Sequence, residues 1–157
     1  MTVGALTRMK PKQDRSIRAA TRAEARACAT IFNAWVDVSD WFPRIHRPEE
    51  RDQYYVNQVY KSQKLWVVGM PVVGFLSLNQ SSVVTALYTS KPGQGFGKRL
   101  LDYAKQQRDT LELWSFVANT EAQRFYQREG FVEMRRTKGD NEEGLPDILY
   151  RWSCADA

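Results

Sequence analysis

The chain has 157 residues, of which 43% are apolar and 26% are charged, and these proportions are typical of a single globular domain. Its two cysteines, Cys28 and Cys154, are too few for a disulfide-stapled fold. The formal net charge of +5 is compatible with binding nucleic acid or a phosphorylated cofactor. It is equally compatible with a solvated surface that binds neither, so charge alone selects no function.

The N-terminus has no continuous apolar segment of the kind found in secretory signals. No other stretch approaches the roughly 20 apolar residues that a membrane span needs. We therefore expect a loose tail over residues 1–14, a single domain over residues 15–157 and a cytoplasmic protein with reduced thiols.

The first third of the chain predicts a short strand over residues 15–21 and two helices. Thr21 and Glu24 form a capping-box pattern at the start of the first helix. Residues 37–47 break the helical spacing of apolar residues, and Pro48 is suited to the first position of a second helix.

The middle of the chain predicts sheet. Residues 65–68, 72–78 and 82–89 are rich in β-branched and aromatic residues, and short turns separate them. Three consecutive strands with such short connections predict an antiparallel meander.

The last third alternates helix and strand. A Gly-rich segment opens a helix, and an apolar strand over residues 111–117 follows. Thr120 and Gln123 predict a second capping box for a helix that stops at Gly130. Residues 131–136 and 148–152 predict the last strands, so the whole pattern is that of a mixed α/β (α+β) domain.

The Gly-rich segment is Gly93-Gln94-Gly95-Phe96-Gly97, and it leads directly into a helix. Alternating glycines let the backbone approach a ligand, and free N–H groups at a helix N-terminus attract phosphate. Lys98 and Arg99 add positive charge there. The spacing matches neither the P-loop nor the dinucleotide pattern. A tight strand-to-helix turn without a ligand is the alternative.

Two segments resemble the GNAT N-acetyltransferase superfamily. Residues 85–101, TALYTSKPGQGFGKRLL, resemble its acetyl-CoA signature, and residues 119–131 resemble its second motif, N-x-x-A-x-x-F-Y-x-x-x-G-F. The resemblance covers residues 16–153 and departs at Pro92, where the family has Gln or Arg. It implies a twisted mixed sheet of about seven strands, with about four helices on both faces.

The resemblance also implies roles for individual residues. The acetyl-CoA site would comprise Leu87, Tyr88, Thr89, Gly93, Gln94, Gly95, Phe96, Gly97, Lys98 and Asn119. Tyr126 matches the general acid, and a phenol is a suitable proton donor to a departing thiolate. Core packing is the alternative role for Tyr126, because it shares a helix face with Ala122 and Phe125.

The acceptor site implied by the resemblance lies near residues 37–47. In that loop Asp40 is suited to attract an ammonium group, Trp41 and Phe42 to form a wall, and Arg44 to hold a carboxylate. The alternative is that the two aromatic residues pack the helices together. We expect a small-molecule amine as acceptor.

The base remains open. The candidates are His46, Asp37, Asp40, Glu142, Glu143 and Asp147. We expect direct transfer in a ternary complex without a cysteine nucleophile or a metal, and a monomer or homodimer without nucleic-acid or membrane partners. The rival interpretations are an inactive acetyl-CoA-binding module and, on charge alone, a nucleic-acid-binding protein.

Overall fold

The computed structural model describes residues 14–156, so the expected N-terminal tail lies outside the described residues except for Asp14. The strands are β1 (Ile17–Ala19), β2 (Lys64–Val68), β3 (Gly74–Leu78), β4 (Val83–Thr89), β5 (Thr110–Phe116), β6 (Val132–Thr137) and β7 (Asp147–Ser153). They form one seven-stranded mixed sheet in the order β1-β2-β3-β4-β5-β7-β6. The predicted strand count and the antiparallel β2-β3-β4 meander are confirmed.

The helices are α1 (Arg22–Val38), α2 (Pro48–Tyr54), α3 (Tyr60–Ser62), α4 (Phe96–Gln107) and α5 (Thr120–Arg128), followed by a 3₁₀ turn (Cys154–Asp156). A π-helical turn, Tyr55–Val59, joins α2 to α3, so these three pieces form one continuous helix. The described residues therefore contain the four helices that the sequence predicts. None of the described helices is both long and apolar enough to cross a membrane.

The first capping box forms as predicted. The Thr21 hydroxyl accepts a hydrogen bond from the Glu24 backbone N–H at 3.2 Å, and the Glu24 carboxylate accepts one from the Thr21 N–H at 3.1 Å. Because each side chain satisfies the other residue's free N–H, α1 starts at Arg22.

The second capping box was predicted one residue too late. Asn119 is the N-cap of α5, and its Oδ1 accepts from the Ala122 N–H at 3.1 Å. The Gln123 side chain instead donates to the carbonyls of Phe116 and Val117, at 3.2 and 2.7 Å. Asn and Thr are both good caps, so their adjacency left the register undecided in the sequence.

The strand predicted over residues 72–78 starts at Gly74, since Val72 belongs to the preceding turn and Val73 adopts no strand conformation.

The sheet opens between β4 and β5, which are its parallel pair. Val83 pairs with Glu112 and Val84 pairs with Leu113, and no later pair follows between these two strands. The β3–β4 register also shifts at Ser77/Leu78, which places an extra residue on β4 near Thr85. The rest of β4 therefore diverges from β5 and leaves a groove between them.

Helices cover both faces of the sheet, as predicted. On one face, α4 buries Phe96, Leu100, Leu101 and Ala104 against strands that include β3, β5 and β7. On the other face, α1 and the π-helical turn bury Ala25, Cys28, Tyr55 and Val59 against β2, β3 and β4. The groove between β4 and β5 thus lies where the two cores meet.

Candidate active site

Tyr126 lies on α5 close to this groove, and its ring is half-buried. The ring centroid lies 5.6 Å from that of Phe131 and 6.4 Å from that of Tyr150. Burial raises the pKa of Tyr126, so its phenol stays protonated at neutral pH. Tyr126 therefore packs against the core and also keeps a proton available, and the two interpretations of the sequence are compatible.

Tyr88 lies on β4, the strand that borders the groove. Burial is the main cause of the raised pKa of Tyr88, and the nearby charges of Tyr126 and Glu143 raise it further. The ring of Tyr88 packs on Phe32 and Trp35 of α1, with centroid distances of 4.8 and 5.1 Å. Tyr126 and Glu143 thus lie within electrostatic range of Tyr88, although the three residues belong to separate parts of the chain.

The glycine turn before α4 has the geometry of an anion cradle. Gly93 and Gly95 have φ angles of +76° and +81°, a region that favours glycine. Gly95 is the N-cap of α4, and no side chain among residues 14–156 caps this helix, so the backbone N–H groups of its first turn remain available. A Cβ on Gly97 would lie 3.7 Å from the Phe125 ring, which is an ordinary van der Waals contact, so α4 lies close to α5 at this glycine.

Two arginines surround this turn, and one of them was not identified from the sequence. Arg15 donates to the Gln94 carbonyl at 2.8 Å, and its guanidinium carbon lies 4.8 Å from the centre of the Phe96 ring. Arg99 in turn donates to the Arg15 carbonyl at 2.9 Å. One feature of the sequence points to a cation at this turn: the chain has Pro92 at a position where the family has Gln or Arg.

Lys98 and Asn119 are engaged within the protein. The Lys98 ammonium group forms ion pairs with Asp102 and Glu129, at 3.0 and 3.1 Å. The Asn119 Oδ1 caps α5, which leaves its amide NH₂ group for another partner. The uncapped helix, the unhindered glycines and the arginines together fit the pyrophosphate of a CoA molecule.

A cleft of about 630 Å³ lies on the α1 side of the groove. Its interior residues include Phe32, Phe42, Tyr55, Ser77, Thr85 and Tyr88. The π-helical turn contributes Tyr55 and Val59 to the cleft, and π-turns are frequent at functional sites. Because Tyr88 lines the cleft and lies on β4, the cleft borders the groove.

Of the four predicted acceptor residues, Phe42 alone is among the described residues that line the cleft. Trp41 packs against Trp35 and Phe116, each with a ring-centroid distance of 5.6 Å, so it joins α1 to the end of β5. Asp40 is exposed. Arg44 is also exposed and forms an ion pair with Asp37 at 3.1 Å. The acceptor roles of these residues stay predictions.

The rim of the cleft holds three of the six candidate bases, namely His46, Glu142 and Glu143. The His46 ring hydrogen-bonds to Glu142 and, at 3.3 Å, to Glu50, and it thereby links the α1–α2 loop to the β6–β7 loop. These carboxylates raise the pKa of His46, with the Glu142 hydrogen bond as the largest cause. Within residues 14–156, Glu143 has no hydrogen bond or ion pair, so its carboxylate is available.

The remaining three base candidates, Asp37, Asp40 and Asp147, are not among the residues that line the cleft. Asp147 is buried and accepts hydrogen bonds from Thr137 and, at 3.0 Å, from the Asn141 amide. Cys28 is buried on α1, and burial raises its pKa, so its thiol is poorly suited to act as a nucleophile.

Comparison with known proteins agrees with this geometry. The model of an acetyltransferase (GNAT) domain family matches residues 33–154. The peptidyl-lysine N-acetyltransferase YiaC of Escherichia coli strain K12 is 27% identical over 146 aligned residues, which cover 87% of this chain and 95% of YiaC.

Solved structures share the fold. Apo YjaB from Escherichia coli has a TM-score of 0.71 and 24% identity, with coverage of 87% of this chain and 96% of YjaB. The acetyltransferase yncA from Salmonella typhimurium, solved with acetyl-CoA, has a TM-score of 0.67 and 18% identity, with coverage of 90% and 94%. Since the family model matches well over half of the sequence, this chain belongs to the GNAT acetyltransferase family and is an acyltransferase whose acetyl donor is acetyl-CoA.

Proposed function

We propose that this acetyltransferase modifies the side-chain amine of lysine or of a lysine-like acceptor. The observation that carries the proposal is that Glu50, Glu142 and Glu143 line the same cleft as Tyr88. Carboxylates attract an alkylammonium group and raise its local concentration. The relative YiaC is named for peptidyl-lysine acetylation, which supports the same class of acceptor.

For acetyl-CoA, we propose a site on the glycine turn and along β4. The N–H groups of the first turn of α4 would hold the pyrophosphate, with Arg15 and Arg99 in place of the side chain that the family has at Pro92. The backbone of Leu87, Tyr88 and Thr89 borders the open groove and would hold the pantetheine arm. Bound acetyl-CoA supplies an activated acetyl thioester.

Two of the chain's own groups are placed for the proton transfers. The acceptor amine must lose a proton, since an alkylammonium group has a pKa near 10.4 and cannot attack a carbonyl. Glu143 is the cleft carboxylate without a hydrogen bond in the described residues, and it lines the same cleft as Tyr88, so we assign it the role of proton acceptor. Tyr126 holds a proton on its hydroxyl for the departing sulfur.

The test is a set of acetyl-transfer assays with purified protein, acetyl-CoA and matched acceptors. The acceptors are a lysine-containing peptide, the same peptide with norleucine in place of lysine, free lysine derivatives and a simple alkylamine. We expect thiol release with the lysine acceptors, and mass spectrometry should place the acetyl group on the side-chain amine. Transfer to the peptide's N-terminal amine instead, or release of thiol without any acceptor, would contradict the proposal.

The same assays compare protein and small-molecule acceptors, because the sequence predicted a small-molecule amine and YiaC is named for a peptidyl one. A higher kcat/KM for free lysine derivatives than for lysine peptides would support the small-molecule prediction. The domain bounds, the monomeric or homodimeric state and the cytoplasmic location stay predictions.

A further inference from the structure

A guanidinium group lies inside the cleft, and the proton-transfer scheme does not use it. It belongs to Arg51 on α2, which is 7% exposed and lines the cleft. Its Nη1 donates to the Asn33 side-chain oxygen at 3.1 Å, and its guanidinium carbon lies 5.3 Å from the centre of the Phe32 ring. These contacts hold the side chain in one place on the wall of the cleft.

Arg51 has no carboxylate partner within the described residues. Glu50 pairs with His46 and Arg47, Glu142 pairs with His46, and the Asp52 carboxylate accepts from the Asn33 amide. Glu143, the other carboxylate that lines the cleft, forms no ion pair with Arg51 either. A guanidinium group carries five N–H donors, and the described side chains accept from Arg51 through Nη1 alone. The remaining donors are available to a molecule in the cleft.

A buried cation without a counter-ion is unfavourable, because it has lost hydration without gaining an opposite charge. A carboxylate is the group that restores this balance best, since its two oxygens match the planar guanidinium in a bidentate pair. Arg51 is also close to the reacting end of the cleft. The guanidinium carbon of Arg51 lies 5.3 Å from the centre of the Phe32 ring, and the centre of the Tyr88 ring lies 4.8 Å from the same point. Arg51 is therefore within about 10 Å of the Tyr88 ring.

We infer that the acceptor carries a carboxylate in addition to its amine and that Arg51 binds this carboxylate while the amine lies near Tyr88. This inference rests on the proposed function. The upper limit of about 10 Å between Arg51 and the Tyr88 ring leaves room for an alkyl chain of the length found in lysine between the two groups. The carboxylate is therefore either the α-carboxylate of the lysine itself or an acidic side chain beside that lysine in a peptide.

The test compares two probes that differ in this one group: Nα-acetyl-lysine and Nα-acetyl-lysine amide. We expect the wild-type protein to bind the carboxylate probe at least about tenfold more tightly, as is typical for a hydrogen bond to a charged group. Binding is measured by calorimetry with CoA present, and KM and kcat are measured with acetyl-CoA. The discrimination should appear in KM and leave kcat nearly unchanged.

Arg51→Gln should abolish the discrimination between the probes, because glutamine keeps a donor for Asn33 and removes the charge. The matched control is Arg22→Gln. Arg22 makes the same kind of contact between the first two helices, to the Asn57 side-chain oxygen at 3.3 Å, but it lies outside the cleft lining. We expect the control to retain the discrimination, which separates anion binding from a purely structural role.

Two further acceptors distinguish the sources of the carboxylate. One is a peptide that ends in lysine with a free α-carboxylate, and the other is an amidated peptide with aspartate beside an internal lysine. Preference for either peptide over its neutral counterpart, lost in Arg51→Gln, supports the inference and names the source.

The inference is overturned if the wild-type protein binds the two small probes equally and also shows no preference within either peptide pair. It is also overturned if the discrimination survives in Arg51→Gln or if no binding of the probes is detected. Acetyl transfer to all lysine acceptors without regard to the carboxylate would overturn it while leaving the proposed function intact. Carboxylate-dependent binding without any transfer to lysine would instead contradict the proposed function.

Discussion

Replacing Tyr126 by phenylalanine separates its catalytic role from its packing role. Phenylalanine keeps the ring that packs on Phe131 and Tyr150 and removes one hydroxyl group. That hydroxyl has no hydrogen-bond partner within the described residues, so its removal leaves no partner unsatisfied. We expect the free energy of unfolding to change by less than about 0.5 kcal/mol.

The effect on turnover should be much larger. A tyrosine is protonated across the neutral range, and burial raises the pKa of Tyr126 further, so the phenol holds a proton at the start of each turnover. A positioned general acid contributes roughly 10²- to 10⁴-fold to the rate. That range corresponds to about 2.7 to 5.4 kcal/mol in the activation barrier. We therefore expect Tyr126→Phe to lower kcat by this factor and to leave acetyl-CoA affinity unchanged.

The assay measures release of the CoA thiol at saturating lysine acceptor, and calorimetry measures the Kd of acetyl-CoA. Tyr103→Phe is the matched control, because this tyrosine also packs on an aromatic ring, with its centroid 5.1 Å from that of Trp66, but lies outside the cleft lining. Equal kcat in Tyr126→Phe and in the wild type would refute the reasoning. An equal fall in both variants would refute it as well, because the effect would then not be specific to the hydroxyl of Tyr126.

Three further variants test the turn, the base and the rim. Gly95→Ala places a side chain at a φ of +81°, a conformation that costs about 1–2 kcal/mol for alanine, so the unliganded turn should relax away from it and acetyl-CoA binding should weaken about 5- to 30-fold by calorimetry. Unchanged affinity would mean that this conformation is not needed for binding. Glu143→Gln should lower kcat/KM on the order of 10²-fold without changing acetyl-CoA affinity, and an unchanged pH–rate profile would remove its role as the base. Because Glu142 and Glu50 raise the pKa of His46, this histidine should stabilise the fold fully below pH 6.5, and the contribution should be lost as pH rises through the raised value. The melting temperature of His46→Gln should therefore differ from that of the wild type most at low pH, and a gap that widened with rising pH would contradict this sign.

Much of the fold could be predicted because its signals are local. The start of α1 depends on Thr21 and Glu24, which are three residues apart, and both side chains act as predicted. The cap of α5 was misplaced for an equally local reason, since Asn119 and Thr120 are both good caps and the pattern cannot choose between them. The glycine turn was predicted because its conformation is a property of the glycines themselves.

Much of the candidate site depends on contacts between distant residues. Arg15 bonds to Gln94 across 79 positions, and His46 bonds to Glu142 across 96. Nothing in the sequence around either partner indicates the other, since only the folded sheet brings the segments together. The sequence indicated Arg44 as a ligand for a carboxylate, whereas the guanidinium that the fold places in the cleft is that of Arg51.

The sequence by itself determined most of the elements and their order, because periodicity, caps and glycine conformations are set by neighbouring residues. It indicated the family through the resemblance of residues 85–101 and 119–131 to the two GNAT motifs. Tertiary structure alone decided where β4 separates from β5 and which charges face the resulting cleft. The physical reason is that sheet pairing and burial are settled by packing across the whole domain. A charged side chain such as Arg51 has the same local pattern whether it faces solvent or a cleft.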